Sequence, residues 1–114
     1  MSNSAMVAAK AQQQPAKAVF TRAELTTILN VYGRLVSSGE WKDYAIDFSK
    51  DCATFSIFRR ASEMPIYRIE KQPKLARKQG AYSVVSQTGL ILKRGPDLRR
   101  VLSVLDKRLK VVEG

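Results

Sequence analysis

The chain has 114 residues, 45% of them hydrophobic, with 20 Lys and Arg against 10 Asp and Glu for a net charge of +10. That length predicts one domain around a single core, able to fold without disulfides or metal. One cysteine and no histidine exclude an internal disulfide, a Cys/His zinc cluster, and Ser–His or Cys–His nucleophilic pairs.

The carboxylates show no DxD or ExxE spacing that would support a metal-assisted or acid–base site. No enzyme, cofactor or metal is therefore expected. No apolar run approaches the roughly 18–20 residues of a membrane span, and MSNSAMVAAKAQQQPAKA lacks the apolar stretch of a secretory leader. A cytoplasmic protein with no membrane partner is the expectation. Charge is uneven: residues 1–57 hold six Lys/Arg and five Asp/Glu, whereas 58–114 hold fourteen and five. An excess confined to one half suggests an acidic partner, although net charge also serves solubility alone.

Residues 1–18 are Ala, Gln, Ser and Lys around Pro15, too poor in large apolar groups to offset ordering entropy, and are expected to be a disordered tail. The single domain is expected over 19–114. Thr21 and Glu24 fit a capping box, and Phe20 and Leu25 a hydrophobic staple. Leu25, Ile28, Leu29, Tyr32, Leu35 and Val36 then recur at helical spacing, and Gly39 supplies the stop. Thr26, Thr27, Asn30 and Arg34 fall on the opposite face, expected to be simply solvated.

After Trp41 the period changes to two. Tyr44, Ile46 and Phe48 form a half-buried strand, and Ser49, Lys50 and Asp51 turn. Cys52 to Arg59 read as a second strand, with Ala53, Phe55 and Ile57 on one face and Cys52, Thr54, Ser56 and Phe58 on the other. Cys52 is expected to act as a small hydrophobe. Pro65 opens a third strand, with Tyr67 and Ile69 on one side, and Pro73 closes it. Tyr82 to Ser86, a turn at Thr88-Gly89, and Leu90 to Lys93 complete the strands. Gly95, Pro96 and Asp97 open a last helix whose stripe is Leu98, Val101, Leu102, Leu105, Leu109 and Val112. The expected fold is α+β: an N-terminal helix, a four- to five-stranded antiparallel meander, and a C-terminal helix, both helices packed on one sheet face.

Three basic groups are candidate binding sites. The connection Pro73–Gly80 carries Lys74, Arg77 and Lys78 and is longer than a usual hairpin loop. A flexible basic loop can follow phosphates and release their counterions. Arg59-Arg60 and Lys93-Arg94 stand at strand boundaries, where their forks could take phosphate or carboxylate or could pair with Glu63, Glu70 or Asp97. On the last helix, Arg100, Ser103, Lys107 and Lys110 share a face. There Asp97 with Arg100 and Asp106 with Lys110 make plausible pairs, and Val104 and Val111 leave room for a dimer contact. Tyr67, Tyr82, Phe55 and Phe58 could stack bases but are needed for the core. No phosphate-loop, dinucleotide or helix-turn-helix signature is present.

The strings FSIFRRASEMP, YRIEK and GLILKRG, within a stretch running from about Phe20 to Val112, resemble an uncharacterised alphaproteobacterial family of the domain-of-unknown-function kind, DUF2794. The resemblance implies a short, stand-alone bacterial cytoplasmic protein and carries over no functional residues. The expected function is thus a non-enzymatic basic module that binds nucleic acid or ribonucleoprotein through Arg59, Arg60, Lys74, Arg77, Lys78, Lys93 and Arg94. The alternative is an adaptor for an acidic protein, or a homodimeric regulator.

Overall fold

The computed structural model describes residues 17–39, 43–59 and 64–113, and of 107–113 the backbone alone. The expected tail over 1–16, Trp41, Arg60, Glu63, and the side chains of Lys107, Leu109, Lys110, Val111 and Val112 lie outside the described residues.

Helix α1 spans Arg22–Ser37, and its capping box forms as the sequence requires. The Glu24 N–H donates to Thr21 Oγ1 at 3.1 Å, and the Thr21 N–H donates to Glu24 Oε1 at 2.7 Å. Both satisfy amides that the first turn leaves without helical partners. Gly39 ends the helix at φ +84°, its N–H donating to the Val36 carbonyl. The folded chain begins before the helix: Ala18, expected in the tail, is buried, and its N–H donates to the Ser49 carbonyl at 2.9 Å.

Five strands follow, β1 (Asp43–Phe48), β2 (Ala53–Phe58), β3 (Tyr67–Lys71), β4 (Tyr82–Ser86) and β5 (Ile91–Gly95), before helix α2 (Leu98–Glu113). They form one antiparallel sheet in sequence order. The register aligns Ile46, Phe55, Ile69 and Val84 in one cross-strand row, and Tyr44, Ile57 and Tyr67 in the next. This is the face the helices cover. Phe55, Ile57, Ile69 and Val84 join Ile28, Val31 and Leu35 of α1 and Val101, Leu102 and Leu105 of α2 in the core. The period-two pattern dictates this, because one face of every strand supplies the apolar residues.

Tyr32 sets α1 over β1 and β2, with its ring edge-on to Tyr44 at 5.1 Å and to Phe55 at 5.9 Å. Helix α2 packs over β4 and β5. Since an odd number of antiparallel strands separates them, both helices run in the same direction. Each starts at the end of the sheet that holds Phe48, Ala53, Lys71, Tyr82 and Gly95. The buried stripe of α1 also differs from the expected one. Val31 is buried, whereas Leu29 and Val36 stay exposed, because α1 leans on α2 as well as on the sheet.

Two irregularities shape the edges. On β5, Leu92 is an extra residue between the pairs Val84 with Lys93 and Val85 with Ile91, a bulge that turns Leu92 toward the core. The Pro73–Gly80 connection is no open loop. A 3-10 turn over Pro73–Leu75 leads into a tight reversal in which the N–H groups of Lys78, Gln79 and Gly80 all point at the Leu75 carbonyl, at 2.9–3.0 Å. Gly80 has φ +92°, and a Cβ there would lie 2.2 Å from the Gly95 carbonyl carbon, so only glycine fits between this turn and the end of β5.

A candidate anion-binding end of the sheet

Every element that begins or turns at the Lys71–Tyr82 end of the sheet brings a cation there. The β3–β4 turn presents Lys74, Arg77 and Lys78, all exposed. Lys74 is partly committed: its Nζ lies 2.9 Å from Asp51 Oδ1 in the β1–β2 turn, with both side chains more than half exposed. The hydrogen bond from Lys74 holds the Asp51 carboxyl below its ordinary value against a small opposing effect of burial. Screening by solvent makes such a pair weak. Arg77 and Lys78 have no carboxylate partner among the described residues.

Sequence reasoning set Arg100 on a separate basic face of the last helix and did not join it, or Lys50, Arg22 and Arg99, to this end. Lys50 lies in the β1–β2 turn, Arg22 opens α1, and Arg99 and Arg100 lie in the first turn of α2. All belong to the same end because each intervening pair of strands returns the chain to it. Counting strand traversals is the signal that finds them. Both helix N-termini also point their positive dipole ends this way. Asp97 caps α2, its Oδ1 accepting the N–H groups of Arg99 at 3.0 Å and Arg100 at 3.3 Å, and it sits 3.9 Å from the Arg100 side chain in the expected pair.

Glu24 contributes no free negative charge to this end. Its carboxylate accepts from Lys71 Nζ at 2.8 Å and from the Tyr82 hydroxyl, while Lys71 also donates to the Val19 carbonyl at 2.9 Å. Only 13% of the Glu24 side chain and 16% of the Lys71 side chain meet solvent. Burial pushes the Glu24 carboxyl up, but the bonds from Lys71 and Tyr82 outweigh it and hold the group below its usual value. Burial, with the bond to Glu24, pushes Tyr82 up to about 12. The cluster is internally satisfied and clamps the start of α1 onto β3 and β4.

The remaining expected site residues divide. Arg94 is half-buried on the face of the sheet away from the helices, and its Nη1 donates to Gln72 Oε1 at 3.3 Å. Its pairing with Ser83, and the bond from Gln72 N–H to the Ala81 carbonyl, carry its side chain across β4 over fully buried Ser83. Lys93 is exposed beside the bulge. Arg59 follows Phe58, which pairs with Asp43, and so lies a strand length of about 17–20 Å from the basic turn. The expectation of one site joining Arg59 to Lys74–Lys78 is not met, because β3 separates the two connections. Arg60 lies outside the described residues.

Other expected contacts also resolve. Asp106 bridges to Arg34 of α1 at 3.2 Å, and its expected pairing with Lys110 lies outside the described residues. Thr27, Asn30 and Arg34, read as a plain solvated face, line an interhelical notch of about 240 Å³ with Arg99, Leu102 and Asp106. Val104 packs partly on the core, as do Tyr67 and Tyr82, while Phe55 is fully buried. Cys52 is half-buried beside Thr54, and burial pushes its thiol up, away from nucleophilic behaviour. Among the described residues no three His, Cys, Asp or Glu side chains come together to hold a metal, and no helix is long and apolar enough to cross a membrane.

No curated protein and no solved structure matches the chain. A family model described as "Protein of unknown function (DUF2794)" matches residues 18–102, from the buried Ala18 to the middle of the core stripe of α2, and the chain belongs to that family.

Proposed function

We propose that the chain is a non-enzymatic binding module that engages the phosphate backbone of nucleic acid through the basic end of its sheet. The observation that carries this reading is the β3–β4 turn. It holds Arg77 and Lys78 outward on a backbone fixed by three amides on one carbonyl, and neither side chain has a carboxylate partner among the described residues. A turn already ordered loses little conformational freedom on binding. Lys50, Lys74 and Arg99 flank it, and two helix dipoles add to the same potential. Arg59 and Lys93 are not needed in this reading, and Arg94 serves the sheet.

The test is binding to labelled duplex DNA and to RNA over a salt series. The logarithm of the binding constant should fall linearly with that of salt, losing roughly 0.9 in slope per phosphate neutralised on duplex DNA. Replacing Arg77 and Lys78 together by Glu should abolish binding and leave thermal unfolding unchanged. Absence of binding to either polymer at low salt overturns the proposal. A stoichiometric protein partner that survives nuclease treatment and is lost with the same double substitution would transfer the surface to an acidic protein.

A further inference from the structure

The two edges of the sheet are built differently. The β5 edge is interrupted by the Leu92 bulge and carries Lys93 and Arg94, devices that discourage pairing with another strand. The β1 edge has no bulge, and its two charges, Asp43 and Asp47, lie on the face away from the helices. Its six residues pair with β2 in unbroken register, without proline, lysine or bulge, and β2 is the one described strand paired with it. On the helix-covered face Phe20 meets Phe48 and Tyr32 meets Tyr44. Beside it the surface is apolar: Tyr44 is 43% and Phe48 40% exposed, with Leu29 at 39% and Val36 at 36% on the flank of α1.

The backbone groups that β1 turns outward can be assigned. The Ser49 N–H donates to the Cys52 carbonyl at 2.9 Å, closing the β1–β2 hairpin on a bonded pair. Bonded and non-bonded pairs alternate in an antiparallel ladder, so Asp43, Ala45 and Asp47 bond to β2 while Tyr44, Ile46 and Phe48 face away. The Ile57 carbonyl agrees. It accepts from Ile66 N–H on the far side, so the Tyr44 opposite it is not bonded to β2.

We propose that this edge pairs with β1 of a second copy of the chain, antiparallel about Ile46, joining two five-stranded sheets into one continuous sheet. Strand β1 is self-complementary about that residue. Ile46 meets its own copy, and Tyr44 meets Phe48 at both ends, which places aromatic pairs directly opposite on the helix-covered face. Every outward N–H and C=O of Tyr44, Ile46 and Phe48 then finds a partner. On the other face each Asp47 meets Ala45. A two-residue slip to a centre at Ala45 sets Asp43 against Asp47 and leaves Phe48 without a partner in the strand. A one-residue slip turns bonded positions against non-bonded ones. Helix α1 rides over β1 and β2, so with strands ~4.8 Å apart the two copies of α1 would lie about 10 Å apart. That is packing distance for Leu29 and Val36.

Sedimentation equilibrium of the full chain across a concentration series reads the result. The expected mass is that of two chains. Tyr44→Lys and Phe48→Glu should each give one chain, and mixing the two variants should restore a dimer through the new Lys–Glu pair. In a Cys52→Ala background, Ile46→Cys should cross-link through its own copy on mild oxidation, which reads the register even if a charged variant fails to fold. A mass of one chain at every concentration overturns the proposal. So does a dimer that survives both charged substitutions, or a cysteine variant that does not cross-link. If deleting residues 1–16 produces a dimer where the full chain is a monomer, the edge belongs to the chain's own N-terminal segment.

Discussion

Glu24 and Tyr82 stand 58 residues apart in the chain, yet the Glu24 carboxylate accepts the Tyr82 hydroxyl while its other oxygen takes Lys71 and closes the cap of α1. One side chain thereby joins the start of the first helix to two central strands.

This relationship sets the pH dependence of stability. The Glu24 carboxyl is held below its ordinary value, so its contribution is full above the usual carboxylate range and is lost as pH falls through the depressed value. Tyr82 is raised from about 10 to about 12, so its contribution is full below pH 10 and is lost as pH rises through the raised value. Urea midpoints should form a plateau between those limits. Glu24→Gln should lower the plateau by about 2–4 kcal/mol, because it strands a largely buried Lys71, and should flatten the acid limb. Tyr82→Phe should flatten most of the alkaline limb and leave the parts due to Tyr32 and Cys52, which burial also raises.

Two glycines with nearly equal φ should respond differently to alanine. Gly39 sits at φ +84° with nothing within 4 Å of an added Cβ, so Gly39→Ala should cost only the left-handed strain, about 1 kcal/mol. Gly80 sits at φ +92° against the backbone of Gly95, so Gly80→Ala must also displace β5 and should cost about 4 kcal/mol or more. Chemical denaturation of the pair separates conformational strain from collision. Equal losses would mean that the contact between Gly80 and Gly95 relaxes freely.

Ser83 is fully buried and its hydroxyl has no hydrogen-bond partner among the described residues. An unmet buried hydroxyl carries a desolvation cost. Ser83→Ala should therefore leave stability unchanged or raise it by up to about 1 kcal/mol, read as a thermal midpoint. A clear loss would mean that a water or ligand pairs with the hydroxyl in solution.

Local features were legible in the residues. The Thr21–Glu24 cap, the alternation through Phe55 and Ile57, the Thr88-Gly89 turn and the Asp97 start each depend on neighbours within a few positions. What was not legible depends on distant partners. Leu29 and Val36 share the helical period of Ile28, yet remain exposed because α2 claims the other side of α1. Arg59 and Lys74 look adjacent in charge, but one strand carries them to opposite ends of the sheet. Arg94 reads as a cation for an outside anion or a nearby carboxylate, whereas register lays it across β4 onto Gln72.

The clamp at Glu24 also constrains the order of events during synthesis. Lys71 follows Glu24 by 47 residues and Tyr82 by 58, so both are made long after α1. A nascent chain can form the capped helix early, but the strands on which its apolar side rests must first leave the ribosome. Until β4 is free, the stripe of Ile28, Val31 and Leu35 is without its docking surface. That interval is when this protein would most need a chaperone.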